Sequence, residues 1–193
     1  MFEEIERSGC WKRIEKICKG WSKDEKYFIE TNEGVRQLLR VSDIDRYEEK
    51  KKEFGILARF AGLGFPMSPP VEFGTCGGGS RVYMLLTWLD GVDLESALPA
   101  LPEQQQYRLG QEAGSILKKL HTLKVDPEDL PAETKKAKKL SQLLRYEASQ
   151  VRMEGDETAL RFVKENLDQI WQEAPVYLHG EVHSSLRRLP FEA

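Results

Sequence analysis

Between Leu178 and Leu186 the chain reads LHGEVHSSL, which sets a carboxylate, Glu181, between two imidazoles, His179 and His183, directly after the strand-like run Pro175-Val176-Tyr177-Leu178. Three chemistries are open to such a segment. Two histidines four apart suggest a metal site, but HGEVH is not the helical HExxH pattern, and Gly180 resists the helix that pattern needs. Ser184 and Ser185 lack the nucleophile-elbow context of a serine hydrolase. The third chemistry is phosphoryl transfer. There a carboxylate orients the attacking hydroxyl, and a downstream amide and a second carboxylate hold magnesium. Of those three groups the chain supplies the first, Glu181.

Three further segments carry groups that such chemistry would need, and each has a purely structural alternative. KGWSKDEKY, residues 19–27, puts a glycine and Ser22 between two expected strands. A serine hydroxyl and backbone N–H groups there can contact phosphate oxygens, and the same residues also make a plain β-turn. Arg40 ends the strand-like Leu38-Leu39-Arg40, and Glu53 follows one helix later. A strand cation held by a helix carboxylate can grip the α- and β-phosphates of a nucleotide, and a surface ion pair is the alternative. YMLLTWLDG, residues 83–91, is an apolar strand running into Asp90-Gly91. It can offer backbone groups to a purine with Leu86 and Leu89 as apolar walls, or it is a core strand ending in a turn.

The elements that must position these groups change character along the chain. Tyr27–Thr31 and Val35–Val41 flank Asn32-Glu33-Gly34 and predict a hairpin. Ser42 and Asp43 are expected to cap a helix whose Phe54, Leu57, Phe60 and Ala61 recur at helical spacing, with Gly62, Gly64 and Pro66 ending it. A second hairpin joins Val71–Phe73 to Val82–Leu86 through Thr75-Cys76-Gly77-Gly78-Gly79-Ser80. That triple glycine lacks the Gly-Lys-Ser/Thr ending of a P-loop and precedes a strand, so it predicts a flexible turn and not a phosphate cradle.

Beyond Asp90-Gly91 the pattern is helical. Pro102 starts a helix with Leu109, Ala113, Ile116, Leu117, Leu120 and Leu123 in one stripe. A charged helix is expected over 132–153, and a third, capped by Asp156, carries Leu160, Val163, Leu167, Ile170 and Trp171 on its inner side.

Composition bounds the partners. With 193 residues, 40% hydrophobic and 9% aromatic, the chain has enough apolar material for a core. A net charge of −3 gives no electrostatic case for nucleic acid, and Lys135, Lys136, Lys138 and Lys139 are a solvated helix face. Cys10, Cys18 and Cys76 match neither a zinc ribbon nor a CxxC pair. The start, MFEEIERSGCW, has no apolar h-region, and no run approaches the ~20 apolar residues of a membrane span, so a cytoplasmic protein is expected.

Taken in order, GWS, LLR, the LDG connector, a helix ending KKLHTL, and LHGEVH, the chain resembles the aminoglycoside phosphotransferase family of small-molecule kinases from Trp11 to about His183. The resemblance implies an α+β, protein-kinase-like fold: an antiparallel β-rich N-lobe with one helix over 1–89, then a mainly helical C-lobe over 90–193. It implies ATP and Mg2+ as cofactors and a small hydroxyl-bearing molecule, an aminoglycoside-like antibiotic or a metabolite, as phosphate acceptor. Ser22 then lies in the loop over the phosphates, Arg40 is the strand cation and Glu53 its helix partner. Leu86 backs the adenine ring, which Thr87 and Leu89 meet through their backbones. Glu181 stands at the catalytic-base position, and His179 organises that loop.

Two positions depart from the family pattern HGDxHxxN. Glu181 replaces its aspartate, and one extra methylene moves the carboxylate by about 1 Å, a displacement able to reduce a rate ~100-fold. Leu186 replaces its metal-binding asparagine and has no oxygen for magnesium. Only Arg187–Ala193 follow, so a C-lobe truncated after the catalytic loop is expected, as a frameshift, early stop or split gene would produce. That ending predicts impaired activity, or a non-catalytic remnant with at most weak nucleotide binding. It also predicts self-association through apolar helix faces at 103–123 and 157–172 left without partners.

Overall fold

The computed structural model describes residues 2–19, 22–130, 133–169 and 174–177, with the backbone of 188–189. These residues group into two compact units, those up to Leu120 together with Arg188–Leu189, and those from His121 to Tyr177.

The first unit is built on a five-stranded antiparallel sheet of β1 (Trp11–Ile17), β2 (Glu25–Thr31), β3 (Arg36–Asp43), β4 (Pro70–Cys76) and β5 (Arg81–Thr87), in the order β1-β2-β3-β5-β4. Both expected hairpins form: β2 pairs with β3 across residues 32–35, and β4 with β5 across the glycine turn. Thr75 and Cys76 belong to β4 and not to that turn, which is confined to residues 77–80. Gly77, Gly78 and Gly79 all have φ between 63° and 79°, a run of left-handed backbone that side chains resist. Within this turn Gly78 N–H donates to both oxygens of Glu4, at 3.0 and 2.9 Å.

Alternation along the strands gives the sheet two different faces. Ile29, Leu39, Val41, Tyr83 and Leu85 form one, completed by Ile5 and Cys76 in a buried cluster against which Phe2, Trp11, Tyr27 and Val71 pack. The short 3-10 turns of residues 2–10 therefore cap this face, with Ile5 only 1% exposed. Across the sheet lies α1 (Tyr47–Ala61), whose Tyr47 and Phe54 rings stand 5.3 and 5.5 Å from the Phe73 ring.

The start of α1 differs from expectation. Ser42 and Asp43 end β3, a 3-10 turn (Ile44–Arg46) intervenes, and no side chain caps α1. The Ser42 hydroxyl donates instead to Asp24 at 2.8 Å, so it is not available as a cap.

After the connector come the short strand β6 (Val92–Asp93), α2 (Leu94–Ala97) and α3 (Glu103–Leu120). Asp93 caps α2 by accepting from Glu95 N–H at 3.3 Å. The carbonyl of Pro102 accepts from Gln105 and Gln106, so that proline begins α3 as expected. Leu109, Ala113, Ile116 and Leu117 are half-buried and Leu120 is buried, as the predicted stripe has them, but α3 ends at Leu120 and Leu123 lies beyond it. Arg188–Leu189 form β7, antiparallel to β6, a pairing absent from the sequence-level expectation.

The second unit contains α4 (Lys135–Ala148) and α5 (Asp156–Asn166). The charged helix is thus shorter than 132–153, since Thr134 caps it by accepting from Ala137 N–H at 3.1 Å. Asp156 is the first residue of α5 and not its cap. Its carboxylate is taken by the Tyr146 hydroxyl at 2.7 Å and Arg152 Nε at 2.6 Å, and Gly155 precedes the helix. Ile170 and Trp171 lie outside the described residues. No helix among the described residues is long and apolar enough to cross a membrane.

Candidate functional site

Strand register places Arg40 and Leu86, two of the residues expected to bind nucleotide, on the face of the sheet that carries α1. Arg40 pairs with Lys26 of β2 on one side and Met84 of β5 on the other, and Leu38 pairs with Phe28 and Leu86. Just past the end of β5 at Thr87 lies Trp88, whose ring meets Phe28 edge-on at 4.8 Å. Two cations and an apolar strip therefore share one surface, a combination suited to a phosphorylated, ring-bearing ligand.

Arg40 and Glu53 meet as the sequence predicted. The guanidinium Nη1 lies 2.6 Å from Glu53 Oε1, linking β3 to α1. The surroundings go well beyond this pair. Asp24, whose side chain is fully buried, accepts from Arg40 through Nε at 2.9 Å and also through Nη2. Lys50 of α1 donates at 2.8 Å to Asp24 Oδ2 and at 2.8 Å to Glu53 Oε2. Arg40, Asp24, Lys50 and Glu53 thus form a closed ring in which the charges alternate. Arg46 Nη1, at 3.0 Å, and the Ser42 hydroxyl, at 2.8 Å, satisfy Asp24 Oδ1.

Electrostatics follow from this packing. Burial by itself raises the Asp24 pKa, but the Lys50 ammonium, the Arg40 guanidinium and the Ser42 hydroxyl more than reverse it and hold the carboxyl well below the usual range. Burial, together with the positive charge of Arg40, holds Lys26 below its ordinary value. A buried carboxylate among three cations is tolerable because every lone pair has a donor.

Ser22 is exposed, and its hydroxyl accepts from Asp24 N–H at 3.0 Å, a local turn contact that presets the backbone before β2. Lys19, on the other side of the same loop, pairs with Asp93 and receives Lys26 Nζ on its carbonyl at 3.2 Å. Leu86 is 4% exposed, and Thr87 N–H is bonded to the Pro69 carbonyl at 2.9 Å. Leu89 is half-buried in the connector, where Arg36 bonds Asp90 at 2.5 Å. Glu181, His179 and Leu186 lie outside the described residues.

Sequence reasoning missed Asp24 and Lys50. Lys50 had a signal: it stands at an inward position of the helical stripe 47, 50, 54, 57, 61, where a lysine needs buried partners. Asp24 had none, since an aspartate in a loop ordinarily caps or turns.

Among the described residues no group of three His, Cys, Asp or Glu side chains could hold a metal ion. No curated protein matches the sequence. A family model described as the Phosphotransferase enzyme family matches residues 13–185. Of solved structures, the GDP complex of wild-type aminoglycoside 2'-phosphotransferase-IIIa is similar with a TM-score of 0.59 and 18% identity, over 95% of this chain and 62% of that one. The GDP and kanamycin complex of APH(2")-IIia gives a TM-score of 0.50 and 20% identity, over 82% and 53%. The chain spans less than two thirds of either relative, and likeness at this identity establishes the fold, which is protein-kinase-like.

Proposed function

The chain belongs to the phosphotransferase enzyme family, and on that premise we propose that residues 1–89 form a nucleotide-binding lobe and 90–193 the acceptor side of an ATP-dependent hydroxyl phosphotransferase. The acceptor class is an aminoglycoside-like antibiotic or a small metabolite. The observation that supports this reading is the 2.6 Å pair between Arg40 of β3 and Glu53 of α1, on the same face as Leu38 and Leu86. Both solved relatives are nucleotide complexes, which supports a nucleotide as the ligand of this face.

In this reading Arg40 grips the α- and β-phosphates and Glu53 holds it in place. The loop at Ser22 lies over the phosphates, Leu86 backs the purine, and the backbones of Thr87 and Leu89 meet its edge. Glu181 orients the acceptor hydroxyl, and His179 organises its loop. Magnesium is a poor fit to this chain: Leu186 stands where the family pattern has a metal-binding asparagine, and a hydrocarbon side chain supplies no ligand. No step is therefore assigned to the metal.

Glu181 and Leu186 together favour a second reading, a nucleotide binder with impaired or no turnover. The partners proposed are then a nucleotide, a small hydroxyl-bearing molecule and, through the helix faces at 103–123 and 157–172, where Tyr107 and Phe162 are exposed, a second copy of the chain. A monodisperse monomer in sedimentation would remove the last of these.

The melting temperature with and without MgATP or MgGTP tests the nucleotide reading. A ligand at ten times its Kd adds about 1.4 kcal/mol, a rise of roughly 3–6 °C at this size. No shift with either nucleotide removes both readings. A shift accompanied by phosphate transfer above the uncatalysed rate selects the first reading, and a shift without transfer the second.

A further inference from the structure

The geometry points to Asp24 and Lys50 as positioning residues for the strand cation Arg40, an inference that rests on the phosphate-gripping role proposed above. A lysine at this strand position would be a point charge that one carboxylate anchors. A guanidinium is a planar fork whose direction is set only when two of its edges are held. Arg40 has both edges held, Nη1 by Glu53 and the Nε/Nη2 edge by Asp24.

Lys50 fixes the two carboxylates relative to each other by bonding one oxygen of each at 2.8 Å. Ser42 and Arg46 hold the remaining oxygen of Asp24, so that carboxylate cannot rotate away from Arg40. The four-membered ring is neutral and its neighbours all attract, which suits it to a buried setting where an unpaired charge would not persist. Asp24 also immediately precedes β2, so the ring ties the loop carrying Ser22 to both β3 and α1.

The consequence is specific. Asp24 sets the plane that Arg40 offers to phosphate oxygens and leaves the apolar strip at Leu38 and Leu86 untouched. Losing Asp24 therefore weakens binding of phosphorylated ligands and spares the bare nucleoside.

The test uses the full chain and two readouts. The first is the Nε–H signal of Arg40 in 15N–1H NMR, assigned through Arg40→Lys, with its exchange rate with water. The second is titration with ADP and with adenosine. Wild type is expected to show a slowly exchanging Arg40 Nε–H. Asp24→Asn is expected to lose that protection and to weaken ADP about tenfold, a size in keeping with one charge-assisted hydrogen bond, with adenosine unchanged. In an Arg40→Lys background the same substitution is expected to change ADP binding less than about twofold, because a point charge needs only Glu53.

A protected Nε–H in Asp24→Asn, an equal loss for ADP and adenosine, or tighter ADP binding would each overturn the assignment; the last would mean that Asp24 occupies the phosphate's place. If wild type binds neither ADP nor GDP, the phosphate-gripping role falls by itself, and the NMR signal still decides whether Asp24 holds Arg40. Should Asp24→Asn fail to fold, Lys50→Gln opens the ring with Asp24 in place. Its ADP affinity is expected to fall relative to adenosine, and an unchanged ratio overturns the inference.

Discussion

Lys50, only 3% exposed, reaches from α1 to the carboxylate of Asp24 at 2.8 Å, joining residues 26 apart in the chain. A buried ammonium survives only with partners, and Asp24 and Glu53 are its two. Lys50→Met therefore keeps the helix face apolar but leaves two carboxylates to share Arg40 and Arg46. Breaking a lone buried pair costs ~3–5 kcal/mol, and the surviving partners of Asp24 reduce this to a value on the order of 2 kcal/mol. Urea unfolding measures it; a midpoint unchanged from wild type would show that the ring does not contribute to stability.

The acid limb of the stability curve follows from two adjacent carboxylates. Asp24 is held below its ordinary 3.8, since its cations and Ser42 outweigh burial, and Glu25 is pulled from 4.5 to about 2 by the Tyr27 hydroxyl, Lys16 and Arg81. Both pKa values are lower folded than unfolded, so the folded state binds fewer protons in acid. Their contribution is complete above the unfolded values and is lost as pH falls through the folded ones. The melting temperature is expected to be level from about pH 7 to 5 and to fall progressively below about 4.5. A curve still level at about pH 2.5 would contradict these ion pairs.

Gly74 sits opposite Tyr83 in the β4–β5 register, and a Cβ built there would lie 2.9 Å from the Tyr83 ring. Tyr83 cannot yield easily. It is 5% exposed, its hydroxyl bonds Glu72, and burial together with that carboxylate raises its pKa. Gly74→Ala is expected to destabilise by ~1–3 kcal/mol through overpacking. Thermal unfolding reads this, and near-UV circular dichroism should report the displaced ring.

Ile5 belongs to the buried cluster under the sheet although it lies near the start of the chain, between two 3-10 turns, Phe2–Glu4 and Glu6–Cys10. Ile5→Ala is expected to cost ~2–5 kcal/mol, the range of a core truncation. The exposed neighbour Glu3 gives the control: Glu3→Ala should stay within about 0.5 kcal/mol. Equal, small effects at both positions would show that the turns of residues 2–10 do not stabilise the sheet.

Much of the first unit was legible because its signals are local. Hairpin turns at 32–34 and 77–80, period-two strands and the 3.6-residue stripe of α1 each depend on residues a few positions apart. Caps were less legible. Ser42 and Asp156 have good capping chemistry, but each is drawn to a stronger partner, Asp24 for the first and Arg152 with Tyr146 for the second. The pairing of β6 with β7 was also beyond reach, since Val92 and Leu189 meet across half the chain.

At the candidate site the same division holds. The sequence by itself determined the family, the order of its motifs, and the two departures at Glu181 and Leu186, because residue identity and spacing are written in the chain. The resemblance carried by those motifs also paired Arg40 with Glu53, as strand cation and helix carboxylate. Only the tertiary structure decided that Asp24 and Lys50 complete the ring. That outcome depends on which face of β3 carries Arg40, how β2 registers against it, and which side of α1 docks on the sheet. These are long-range packing choices, and a buried charge is stabilised by where its partners arrive, not by how near they stand in sequence.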